Sequence, residues 1–127
     1  MRTPFRLFTL GIALVILAEA RAQVPPAEAE ATFTVADGLE FKLWASEPLF
    51  VNPTCMDIDE KGRVWVCESV NYRCRLHKKP LNRKEGDRIV ILEDTKGSGK
   101  ADKATTFYQA PDFIAPLGIA VAPIPAS

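Results

Sequence analysis

From residue 39 onward the apolar side chains come in short runs separated by turn-forming residues, and no 3.6-residue period is sustained over a dozen positions. The runs are 39–45 (LEFKLWA), 54–58 (TCMDI), 63–68 (RVWVCE), 88–93 (RIVILE), 104–109 (ATTFYQ) and 117–122 (LGIAVA). Each has the length and composition of a strand, so the expected fold class is all-β with antiparallel strands. Within two of the runs, VWVC and IVIL are apolar at every position. A strand with one wet face alternates, so these two are expected to be covered on both faces. Asp59, Glu60, Lys61 and Gly62 form a turn with glycine where a positive φ is wanted, which predicts a hairpin joining 54–58 to 63–68. The Gly-rich stretch 94–102 (DTKGSGKAD) is a longer turn before the run at 104–109.

The pattern then starts again. Phe50 to Ile58 and Phe113 to Val121 share F-[VI]-x-P-x-x-[MI]-x-[IV] at a constant offset of 63. A proline that opens an inner strand, repeated at this period, is expected of successive blades of a β-propeller; two short strands resembling one another by chance is the alternative. On the propeller reading one blade spans 53–109, the next opens at Pro116, and the expected architecture is an incomplete β-propeller of about one blade plus flanking strands. A ring needs at least four blades and several hundred residues, so residues 39–127 are expected to be an N-terminal fragment of the domain.

The first 22 residues read as an export signal. Arg2 and Arg6 precede the apolar run LFTLGIALVIL, and Ala20-Arg21-Ala22 supplies small residues at the cleavage subsites. An uncleaved signal anchor is the alternative, although the run is shorter than the roughly 20 residues of a membrane span. The expected location is periplasmic or extracellular, with no stable span in the mature chain. Residues 23–38, beginning QVPPAEAEAT, lack an apolar face and read as a linker. Composition alters this picture little: of 127 residues 47% are hydrophobic and 25% charged, as in ordinary globular proteins. Removing the signal takes three of the 16 basic and one of the 16 acidic residues, leaving a net charge of −2. No global field then recruits nucleic acid.

Three segments carry a family resemblance: FKLWASEPLFVNPTCMDIDEKGRVWVCESVNYR (41–73), GDRIVILEDTKGSGKADKATTF (86–107) and APLGIAVAP (115–123). Together they resemble the N-terminal propeller of planctomycete-type membrane-bound dehydrogenases, themselves similar to soluble quinoprotein sugar dehydrogenases. The resemblance implies an oxidoreductase acting on a sugar or other alcohol, with pyrroloquinoline quinone as cofactor of the complete protein. It also implies a partner cytochrome c-type domain with a CxxCH haem site. Cys55, Cys67 and Cys74 do not form that motif with His77, so covalent haem on this chain is excluded. The base for hydride abstraction is expected in other blades, and the fragment itself is expected to be inactive. A non-catalytic binding module for a polysaccharide or protein partner is the alternative.

The candidate chemistry gathers in residues 69–87, a loop longer than a hairpin needs. Arg73, Arg75, Lys78, Lys79, Arg83 and Lys84 lie there, with no acid between 69 and 84. An anionic ligand or acidic partner at the channel mouth is the functional reading, a solvated basic loop the plain one. Glu68, Asn71, Tyr72, Arg73 and Arg75 are the candidate ligand-binding residues. A Glu68–Arg73 pair would hydrogen-bond a polyol or position a cofactor, or serve as a structural ion pair. His77, beside two lysines, reads as a solvated loop residue. Asp94 to Asp102 has the frame of a calcium loop, but Lys96 and Ser98 occupy ligand positions, so the loop reads as degenerate and no metal is expected. Lys96 is placed to bridge Asp94 and Asp102. Cys67 and Cys74 are expected to form a local disulfide in an oxidising compartment, with Cys55 buried in its strand. Trp44 and Trp65 are expected to pack rather than stack on a ligand.

Overall fold

The structure is a computed structural model that describes residues 24–122. The expected signal segment lies outside the described residues. Two compact units are distinguished, dividing after Phe33. In the first, α1 (Pro26–Ala29) runs into a 3-10 turn at Glu30–Thr32. Proline suits the first turn because the N–H it lacks would have no partner there, and Thr32 Oγ1 donates to the Ala29 carbonyl at 2.7 Å. The segment read as a linker therefore contains a short helical stretch.

The second unit is one open antiparallel sheet in the order β1 (Pro53–Ile58), β2 (Val64–Glu68), β3 (Arg88–Glu93) and β4 (Lys103–Gln109). A short helix α2 (Tyr72–Leu76) interrupts the long connection between β2 and β3. Mostly sheet with antiparallel neighbours in sequence order, the unit has the all-β character the runs imply. Asp59 fixes the first hairpin: its carbonyl accepts from Gly62 N at 2.9 Å, and its Oδ1 accepts from Lys61 N and Arg63 N at 2.9 Å each. Gly62 has φ +74°, the left-handed conformation that its position in the turn requires.

Register divides the side chains between two faces, because alternate residues point to opposite sides. Met56, Ile58, Val64, Val66, Val90 and Leu92 share one face through the pairs Met56↔Val66, Ile58↔Val64, Val66↔Val90 and Val64↔Leu92. Val66, Val90 and Leu92 are the buried nucleus, packed by Trp44, Ala45, Leu49, Phe50 and Ala101. Burying each of the three contributes about 1.5–3 kcal/mol. The opposite face carries Cys55, Asp57, Trp65 and Cys67. The chain returns over it: Val121 N donates to Asp57 Oδ2 at 2.7 Å, Thr54 Oγ1 to the Pro116 carbonyl at 2.6 Å, and Cys67 Sγ lies 3.8 Å from the Gly118 carbonyl.

VWVC and IVIL are thus covered on both sides, by segments of this same chain. Those covering segments include the runs 39–45 and 117–122, and neither is a strand. Trp44 and Ala45 of the first pack against the nucleus, and Gly118 and Val121 of the second meet Cys67 and Asp57 on the opposite face.

Candidate functional site

Glu68 ends β2 with its side chain completely buried, and three elements converge on it. Arg88 is its register partner on β3 and grips it bidentately, Nε to Oε2 at 2.7 Å and Nη2 to Oε1 at 3.0 Å. Arg83, from the returning end of the long loop, donates Nη1 to Oε2 at 2.7 Å. Val51 N, just before β1, donates to Oε1 at 3.0 Å. Burial pushes the Glu68 carboxyl up, but the hydrogen bonds from Arg88, Arg83 and Val51 outweigh it and hold the group below the usual carboxylate range. The Arg88 guanidinium is correspondingly held more firmly charged by Glu68.

A second buried carboxylate roots the same loop. Asp87 Oδ1 accepts from Asn71 N at 3.0 Å, and Oδ2 accepts from Ala115 N at 2.8 Å. Asn71 closes the loop on itself: Nδ2 donates to the Arg83 carbonyl at 2.8 Å, and Oδ1 accepts from Arg83 N at 3.0 Å. Gly86 makes the junction possible. With φ +88°, a Cβ there would stand 1.7 Å from the Ala110 carbonyl oxygen, a contact no side chain tolerates. Ser69 Oγ, also buried at the loop's root, has no hydrogen-bond partner among the described residues.

The five candidate residues therefore separate. Glu68 and Asn71 are interior, and their polar atoms are spent within the protein. Tyr72, Arg73 and Arg75 are exposed on or beside the turn of α2. The partners of Glu68 are Arg83 and Arg88, where the sequence pointed to Arg73. Arg88 was legible once β2 and β3 were paired, since it stands opposite Glu68 in register. Arg83 was not, because its approach depends on the path of the loop. Arg73, Arg75, His77, Lys78, Lys79 and Lys84 are all exposed, so the loop has a buried root and a basic, wet tip. A quinone bearing several carboxylates needs cations and hydrogen-bond donors converging in a pocket. Glu68 and Asn71 do not fit that demand, and the groove of about 640 Å³ between residues 41–50 and β1–β2 is lined by Phe41, Leu43, Phe50, Met56 and Ile58, which are apolar.

In the Gly-rich turn, Asp94 Oδ2 accepts from Gly99 N at 2.7 Å and Oδ1 from Ser98 N at 3.0 Å. Asp102 takes Thr95 N at 2.9 Å and the Lys96 ammonium at 3.2 Å. The oxygens a cation would need are committed to the turn, and Lys96 bonds Asp102 alone of the two acids. All three cysteines are free thiols; Cys55 stands opposite Cys67 across β1 and β2, while Cys74 is buried on α2. Trp65 is held by packing and one polar contact: its ring meets Phe107 edge-on at 4.7 Å, and Nε1 donates to Asp59 Oδ2 at 3.0 Å. Among the described residues no helix is long and apolar enough to cross a membrane.

A family model described as a domain of unknown function (DUF7133) matches residues 25–122, and the chain belongs to that family. No curated protein and no solved structure matches the chain.

Proposed function

We propose that the chain is one blade, with the opening strand of the next, of a β-propeller in an exported sugar- or alcohol-oxidising protein, and that it serves there as a rigid, non-catalytic platform. The observation that carries the reading is the repeat. Asn52 and Ala115 stand at the same position of F-[VI]-x-P, immediately before Pro53 and Pro116, and both adopt the left-handed conformation, at φ +45° and +57°. Few non-glycine residues do so. The second copy lies on the face of the first, tied by Thr54 to Pro116 and by Asp57 to Val121. A following blade would lay its inner segment on such a face, which supports the reading. The apolar groove on the other face, with Met56 and Ile58 more than half exposed, suits the packing of a preceding or closing blade.

The hub formed by buried Glu68 with Arg83, Arg88 and Val51 N supports the platform role. A general base needs a free lone pair directed at substrate, and both oxygens of Glu68 are occupied by guanidinium and backbone donors. The basic tip is the contact surface, complementary to a glycan carrying acidic groups or to an acidic partner domain. Dye-linked sugar and alcohol oxidation by the full-length protein, with and without pyrroloquinoline quinone, tests the reading. Turnover is expected there and none in the purified 127-residue chain; oxidation by that chain alone would contradict the platform role. A second reading, a binding module with no oxidation, is favoured by the saturated hub. Glycan retention that is lost in R73A/R75A, together with silence in every dye-linked assay, would select it.

A further inference from the structure

The three cysteines are not equivalent, and the sheet singles out two of them. Cys55 on β1 and Cys67 on β2 are direct register partners in the antiparallel pair, next to the irregularity at Thr54. Directly opposed residues have Cα atoms about 4.5–5.5 Å apart, inside the roughly 4.4–6.8 Å that a disulfide bridges. Opposed residues also project to the same face, so the two Cβ vectors do not diverge. Cys67 is fully buried and its Sγ faces the Gly118 carbonyl, whereas Cys55 is only half-buried and reachable from solvent. Cys74, the other buried thiol, belongs to α2 and is no ladder partner of Cys67.

We propose that Cys55 and Cys67 form a cross-strand disulfide when the chain meets a disulfide oxidant such as oxidised glutathione. The Cys55 thiolate attacks the oxidant's S–S bond and releases one reduced thiol, leaving a mixed disulfide on Cys55. Cys67 then loses its proton and attacks that sulfur, releasing the second reduced thiol. Two protein thiols are oxidised by two electrons, and the oxidant is reduced to two thiols. Burial and the neighbouring Cys55 push the Cys67 thiol of the reduced pair up to about 12. The bond fastens edge strand β1 to β2. It thereby fixes the surface on which the repeated segment 116–121 rests.

Sequence chemistry makes the test decisive. Trypsin cuts after Lys42, Lys61, Arg63, Arg73 and Arg75, so each cysteine falls in its own peptide. The reduced full chain is incubated with oxidised glutathione, alkylated at low pH, digested and mapped without reduction. The expected product joins peptides 43–61 and 64–73, about 2 Da lighter than the two thiol peptides together. It should persist in C74S. Linkage of 64–73 to 74–75, glutathione adducts without closure, or three unmodified thiols would each overturn the proposal. The wild-type map needs no variant to fold, and C74S keeps both proposed partners.

Discussion

Replacing Glu68 by Gln separates a structural hub from a catalytic carboxylate. The substitution preserves size but removes the charge that Arg83 and Arg88 share, and it turns an amide donor toward donors. Breaking a buried pair from one side leaves the partners uncompensated and costs about 3–5 kcal/mol. With a urea slope of about 1.5 kcal/mol/M, the unfolding midpoint should fall by about 2–3 M at pH 7, followed through Trp44 and Trp65 fluorescence.

The sign of the pH dependence is equally specific. The folded Glu68 carboxyl is held below its unfolded value of about 4.3, so its contribution is present above that value and is lost as pH falls through the folded one. The gap between wild type and Glu68→Gln should therefore narrow below about pH 4.3. A catalytic carboxylate held in strain behaves oppositely, since its removal commonly raises stability. An unchanged or higher midpoint, or a gap indifferent to pH, would refute the hub.

Two further substitutions probe the backbone. Gly86→Ala should cost more than about 2 kcal/mol, because forced separation from Ala110 and loss of the Asp87 N to Phe113 carbonyl bond add to the left-handed penalty of about 1–2 kcal/mol. Gly62→Ala, with nothing within 4 Å of the new Cβ, should cost only the conformational part; equal midpoints for the two would contradict the close approach. Ala115→Gly should be neutral to stabilising by up to about 1 kcal/mol in the same urea assay, since it releases an alanine from φ +57°; a marked loss would mean that Ala115 is not left-handed.

What was legible in the sequence was local. β3 coincides with its run, 88–93, and the other three strands begin within one residue of theirs. The double coverage of VWVC and IVIL also followed from apolar residues at successive positions. The runs at 39 and 117 are not strands, although LEFKLWA and LGIAVA have the apolar composition of one. α2 escaped notice because five residues cannot display a helical period. At the site, Glu68 was identifiable as the acid ending β2, but its partners depended on where residues 69–87 return. The shared left-handed turn at Asn52 and Ala115 was half visible, as the x of F-[VI]-x-P, although neither residue type announces a positive φ.

The loop's division into root and tip sets where substitution is tolerated. Asn71, Arg83 and Asp87 anchor both ends through buried bonds, while residues 75–80 are exposed and bond only within the turn of α2 and its end. Side-chain replacements at the tip should therefore leave the sheet beneath intact, whereas replacements at the root should not.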